Sequence, residues 1–139
     1  MRPIIEVRTV SRPLKEVYAY LADTRNLADW VPGISRLKPL AGSPTVADTV
    51  TFTVNGFSNT LTFTAVDAPH RLAYEVGNAL VVLPVIIELD QIDDATTRVT
   101  KSQTIQPVGF GRILAPLLKR ALAKQVGDEA DSIKQHVEE

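Results

Sequence analysis

Apolar and polar residues alternate along several short stretches of this chain, and turn-forming residues separate one stretch from the next. In the first stretch, IIEVRTV, Ile5, Val7 and Thr9 share one face and Glu6 and Arg8 share the other. Because successive side chains of a β-strand point to opposite sides of a sheet, this alternation predicts half-buried strands. Strands are predicted at residues 4–10, 34–40, 49–55, 60–66, 71–76, 79–92 and 97–107.

Two short helices are predicted directly after the first strand. Ser11 can cap a helix over residues 13–22, in which Leu14, Val17 and Leu21 recur at helical spacing. A second helix over residues 24–30 is predicted to end where Pro and Gly follow Val31.

The last 31 residues predict one long helix with an apolar stripe. From Gly109, about 29 helical residues would extend ~43 Å at 1.5 Å per residue. Pro116 is expected either to kink this helix or to mark the start of its regular part. The predicted stripe consists of Phe110, Ile113, Leu114, Leu117, Leu118, Ala121, Leu122, Val126, Ala130, Ile133 and Val137.

This order of elements defines an expected fold class. Short turns between the strands from residue 34 to residue 107 imply antiparallel neighbours in a meander. A sheet with one apolar face needs a cover, and only the C-terminal helix is long enough to provide it. The chain is therefore expected to be a single α+β domain, residues 1–139, in which a curved antiparallel sheet wraps around that helix.

Composition narrows the function classes. With 139 residues, 45% hydrophobic residues and a net charge of −1, the chain is neither disordered nor a typical nucleic-acid binder. It has no Cys, which excludes disulfides and thiol chemistry and is compatible with a cytoplasmic location. Its longest apolar run, residues 79–87, is far short of the ~20 residues of a transmembrane helix.

Two segments resemble a known superfamily. They are SRPLKEVYAYLADTRNLADWVPGISRLKPL near the start and GFGRILAPLLKRALAKQVGDEADSIKQHVEE at the end. Together with the element order, they resemble the helix-grip fold of the START-like, or SRPBCC, superfamily, in its polyketide cyclase/dehydrase and CoxG-like branch. The resemblance implies a hydrophobic cavity between sheet and helix. The superfamily shares this cavity rather than a reaction, so no catalytic residue is transferred.

A cavity lined by the inward residues suits a small hydrophobic or aromatic ligand, of lipid-like or polyketide-like chemistry. The alternative is that helix and sheet pack closely and leave no space. The expected ligand-binding residues are Trp30, Phe52, Val54, Leu61, Phe63, Tyr74, Ile87, Lys101, Gln103, Leu114, Leu118 and Leu122.

Lys101 is the one inward candidate that could carry chemistry. If Val99 and Ile105 face inward, the two-residue period places Lys101 and Gln103 on the same face. There Lys101 could anchor a carboxylate or phenolate, or act as a weak candidate for a catalytic base. The alternative is a bulge or strand end that leaves its ammonium group in water.

The remaining candidates predict neither a metal site nor a cofactor. His70 lies in a turn and His136 near the C-terminus, and neither belongs to a ligand pattern. No nucleotide-binding or hydrolase motif occurs.

Three functions are consistent with these features. The first is binding of a small hydrophobic molecule, and the second is a cyclase/dehydrase-type enzyme that uses the same cavity. The third is a CoxG-like accessory protein, for which the basic stretch from Arg112 to Lys124 would contact a protein partner or a membrane surface. The sequence favours the first and leaves the oligomeric state open.

Overall fold

A computed structural model describes residues 2–139, which form eight strands and three α-helices. Short 3-10 turns at Thr24–Asn26 and Gly109–Arg112 precede α2 and α3. In chain order the elements are β1 (Ile4–Val10), α1 (Leu14–Ala22), α2 (Leu27–Trp30), β2 (Ile34–Lys38), β3 (Thr49–Val54), β4 (Phe57–Asp67), β5 (Arg71–Gly77), β6 (Val81–Asp93), β7 (Thr96–Gln103), β8 (Gln106–Pro107) and α3 (Ala115–Glu138).

All the strands belong to one antiparallel sheet. Its order is β1-β7-β6-β5-β4-β3-β2, and β8 pairs with β6 beside the end of β7. Strands β2 to β7 thus form the predicted meander, and β1 closes the sheet next to β7. The long helix α3 covers the concave face, so the predicted α+β helix-grip fold is confirmed.

The last predicted strand, residues 97–107, is divided into β7 and β8. Val85 of β6 pairs with Gln103, whereas Val82 of β6 pairs with Gln106. Pro84 lies opposite this break, where its carbonyl accepts a hydrogen bond from Thr104. A proline has no N–H, so a strand that contains one is irregular at that point. Pro84 therefore interrupts the pairing inside the sheet rather than at an outer edge.

The orientation expected for β1 is wrong. Ile5 and Val7 face solvent, with exposed fractions of 57% and 49%, whereas Glu6 and Arg8 face α3. The Nε atom of Arg8 lies 2.7 Å from Oδ1 of Asp131 in α3, and Nη1 lies 3.0 Å from Oε2 of Glu6. The polar face points inward because the part of α3 that crosses this edge strand carries a carboxylate.

The stripe predicted for the C-terminal helix divides into two faces. Its second half, which includes Val126, Ala130, Ile133 and Val137, is buried, whereas its first four members, Phe110 to Leu117, are exposed. At about 100° per residue, Leu117 and Val126 point to nearly opposite sides of a helix. Pro116 lies in the first turn of α3, so the regular helix starts there, which confirms one of the two expectations.

Gly111 fixes the segment before α3 against the start of β6. A Cβ atom at this buried position would lie 1.8 Å from the carbonyl oxygen of Leu80. The neighbouring Val108 donates its N–H to the same oxygen, at 2.9 Å. The two backbones can approach this closely only because residue 111 has no side chain.

We expect Gly111→Ala to destabilise the protein by roughly 1–3 kcal/mol, because a backbone atom must move to admit the methyl group. Urea denaturation measures this change. Gly42→Ala is the matched control, since nothing lies within 4 Å of a Cβ at Gly42. It should change stability by no more than about 0.5 kcal/mol. Equal stabilities for the two variants would contradict the close approach at Leu80.

Candidate functional site

A cavity of about 270 Å³ lies between the sheet and α3. Its walls come from α2, from strands β3 to β7, from the segment between β5 and β6, and from residues 118–129 of α3. Most of the lining is aliphatic or aromatic, with polar side chains at a few positions. Space remains here because α3 packs closely against β1 and α2 and makes far fewer contacts with strands β3 to β7.

Nine of the twelve expected binding residues line this cavity. Phe63 and Ile87 lie instead in the closed core, and Leu114 lies on the surface at the start of α3. Phe63 contacts the cavity wall indirectly, because its ring packs edge-to-face against Tyr74 with centroids 6.0 Å apart. The nine lining residues are Trp30, Phe52, Val54, Leu61, Tyr74, Lys101, Gln103, Leu118 and Leu122.

Lys101 points into the protein and forms an ion pair there. Its side chain is only 1% exposed, and its Nζ atom lies 2.5 Å from Oε2 of Glu129, which is 9% exposed. Gln103 lies on the same face of β7, with its Oε1 atom 3.5 Å from the same Nζ. Gln125 donates to the second carboxylate oxygen of Glu129 at 3.1 Å. The pair is therefore buried, hydrogen-bonded and part of the cavity wall.

Two aromatic residues complete this polar end of the cavity. The ammonium group of Lys101 lies 5.5 Å from the centroid of the Trp30 ring, a distance at which the ring attracts a cation. Burial, and secondarily the charge of Glu129, raises the pKa of Tyr74 well above its usual value of 10. A tyrosine phenol is neutral at physiological pH even without this shift, so Tyr74 can donate a hydrogen bond.

Glu129 is the main residue that the sequence analysis missed. It follows Val126 by three residues and precedes Ile133 by four, so it lies on the buried face of α3. An acid within an apolar helical face, in a chain with an inward Lys, is a detectable signal for a buried ion pair. Gln125, which directly precedes the buried Val126, was also missed.

The other candidate residues lie away from this cavity. His70 is exposed, and its Nδ1 atom lies 3.3 Å from the carbonyl oxygen of Leu89. Nδ1 of His136 lies 2.8 Å from the carbonyl oxygen of Ser132 within α3. Across residues 2–139, no group of three or more His, Asp or Glu residues has the arrangement of a metal site. Within the same range, no helix is long and apolar enough to cross a membrane.

The chain belongs to the family described as polyketide cyclase / dehydrase and lipid transport, which it matches over residues 2–138. This agrees with the superfamily resemblance seen in the sequence. No curated protein matches the chain in sequence.

Solved structures similar to this chain share its fold at low identity. The Zhui aromatase/cyclase from Streptomyces sp. R1128 superposes with a TM-score of 0.80 and 16% identity, covering 99% of this chain and 93% of that one. A conserved protein from Geobacillus kaustophilus superposes with a TM-score of 0.74 and 16% identity, covering 96% of this chain and 93% of that one. A protein from Arthrobacter aurescens superposes with a TM-score of 0.77 and 18% identity, covering 96% of this chain and 84% of that one. At these identities the likeness establishes the fold alone.

Proposed function

We propose that this protein binds a small, electrically neutral and largely apolar molecule in the cavity between the sheet and α3. The polar end of that molecule, a hydroxyl or carbonyl group, lies against the Lys101–Glu129 pair. The observation that carries this proposal is that a cavity with apolar walls has its charged groups concentrated at one place, where they neutralise each other.

The preference for a neutral ligand follows from charge balance. An unpaired Lys101 would attract a carboxylate or phenolate, as the sequence alone suggests. In the folded protein its charge is already matched by Glu129 at 2.5 Å. A ligand anion would bring a second negative charge into a region of low dielectric, where an unpaired charge is strongly disfavoured. A hydroxyl group can instead share hydrogen bonds with both partners without changing the net charge.

The size of the cavity limits the ligand further. Its volume of about 270 Å³ is at the lower end of the range of roughly 300–1,000 Å³ found for ligand pockets. A compact aromatic or polyketide-like compound fits such a volume better than a lipid with two acyl chains. Trp30 and Phe52 supply flat aromatic surfaces for ring contacts.

Two matched probes test the proposal directly. We expect 2-naphthol, which is neutral at pH 7, to bind roughly tenfold or more tightly than 2-naphthoate, a difference of about 1.4 kcal/mol or more. Titration calorimetry measures both, and naphthalene is the control that lacks a polar group. Tighter binding of the naphthoate, or no binding of any of the three, would refute the proposal. Native mass spectrometry of protein from its own host would then identify any copurified ligand.

A cyclase or dehydrase activity is the second candidate, favoured by the same ion pair. A carboxylate beside an ammonium group offers a proton acceptor and a proton donor to one ligand. Glu129 would take a proton from a carbon next to a ketone, while Lys101 would give one to the ketone oxygen. A new isomer with a changed retention time and absorption spectrum, or a product lighter by one water, after incubation with a polyketide-like ketone would support this candidate over simple binding.

A further inference from the structure

Four large apolar side chains lie exposed at the start of α3. We call Phe110, Ile113, Leu114 and Leu117 the apolar rim, and their exposed fractions are 76%, 75%, 40% and 67%. Their spacing of three, four and seven residues places them on one side of a helical segment. Single exposed apolar residues are common on protein surfaces, but a cluster of four indicates a contact surface.

The apolar rim adjoins the lining of the cavity. The next residues of α3, Leu118, Ala121 and Leu122, line that cavity. On the other side, Gly111 packs against Leu80, which is also part of the lining. A surface that covered the apolar rim would therefore also lie beside this part of the cavity lining.

The charges around the apolar rim have one sign. From Ala95 to Gly127 the chain contains no Asp or Glu. Within that range, four exposed cations lie close to the apolar rim in sequence, and none of them forms a salt bridge with another residue of the range 2–139. These cations are Arg112, Lys119, Arg120 and Lys124. Arg120 and Lys124 follow Leu117 by three and seven residues, so they continue the same side of the helix.

We infer that the apolar rim docks this protein on the surface of an anionic lipid bilayer. The four apolar side chains would enter the boundary between headgroups and acyl chains, and the cations would lie among the anionic headgroups. A second protein is a less suitable occupant. A stable protein interface buries about 800 Å² on each partner, far more than four side chains supply.

Docking in this orientation has a consequence for the ligand, which rests on the proposed function. An opening of the cavity beside the apolar rim would face the bilayer, and an apolar molecule would then pass between membrane and cavity without crossing bulk water. The docking itself does not depend on any ligand, so its test stands apart from the binding test.

Sedimentation with vesicles tests the docking. We expect the protein to sediment with vesicles of equal parts phosphatidylcholine and phosphatidylglycerol, and much less with phosphatidylcholine alone. Raising the salt concentration should release it, since salt screens the cations. Arg120→Gln/Lys124→Gln should weaken the partition roughly twenty-five-fold, about fivefold for each cation removed. Phe110→Ser/Leu117→Ser should weaken it roughly tenfold or more.

The matched control is Ile92→Ser, which also removes an exposed apolar side chain. Ile92 lies near the end of β6, whereas Val81 and Leu83 at the beginning of this strand line the cavity. The Ile92→Ser variant should leave the partition of the protein onto vesicles unchanged.

Several results would overturn the inference. They are equal sedimentation with both kinds of vesicle, no sedimentation with either, and equal losses for Ile92→Ser and Phe110→Ser/Leu117→Ser. Binding of the wild-type protein to a protein partner through the apolar rim, without vesicle binding, would also overturn it. Thermal melts establish that each variant is folded. The salt dependence of vesicle binding is measured on the wild-type protein, so this part of the test does not depend on the folding of any variant.

Discussion

The substitution Lys101→Met is expected to lower the free energy of unfolding by about 3–5 kcal/mol, the usual effect of removing one partner from a buried ion pair. It leaves the carboxylate of Glu129 buried, with Gln125 as its remaining hydrogen-bond partner. It also removes the cation that lies over the Trp30 ring. If Lys101 had no counter-ion, the same substitution would be expected to leave the free energy of unfolding unchanged or higher, because a buried Met would be tolerated in its place.

The double variant Lys101→Met/Glu129→Met is the decisive comparison. Removing both charges should restore stability to the wild-type value or above it, because an apolar pair avoids the desolvation of two ions. Urea denaturation of the four proteins of this double-mutant cycle gives the coupling free energy. Lys134→Met is the control on the same helix, where a partly exposed pair with Glu138 contributes no more than about 1 kcal/mol. If the double variant were as unstable as the sum of the single variants, the pair would not be coupled.

The fold was predictable because its strands have one apolar face and short turns. Val50 and Phe52 in β3 alternate with threonines, and both are buried as the pattern requires. In β1 the same rule failed, because the inward face combines the apolar Ile4 and Val10 at its ends with Glu6 and Arg8 between them, and these two polar residues face the helix α3. Arg8 is stabilised there by its neighbour Glu6 and by Asp131, a residue 123 positions further along the chain. Alternation within a strand carries no information about such a distant partner.

The site was predictable to the extent that strand register determined it. The two-residue period that places Val99 inward also places Lys101 and Gln103 in the cavity wall. The identity of the counter-ion depends on which turn of α3 lies opposite β7, and this is a matter of tertiary packing. The apolar stripe of α3 was misread for a related reason. Its two halves differ by half a turn of the helix, so only the half with Val126 and Ile133 faces the core.

Leu122→Trp is expected to weaken binding of a neutral aromatic ligand by tenfold or more, equivalent to about 1.4 kcal/mol. Leu122 lines the cavity from α3 and is only partly buried, so the larger ring can enter the space that the ligand would occupy. Because that space is otherwise empty of protein atoms, the stability of the fold should change by less than about 1 kcal/mol. Calorimetry with 2-naphthol and urea denaturation measure the two effects.

Val126→Phe on the same helix is the comparison that distinguishes the effect of filling the cavity from the effect of overpacking the core. Val126 is fully buried and does not line the cavity, so a larger side chain there should destabilise the protein by roughly 1–3 kcal/mol. Ligand affinity should be retained as long as this variant is folded. The opposite pattern, with Leu122→Trp strongly destabilising and still able to bind, would mean that this part of α3 is close-packed core. In that case the ligand would have to enter elsewhere, and the cavity between the sheet and α3 would not be the binding site.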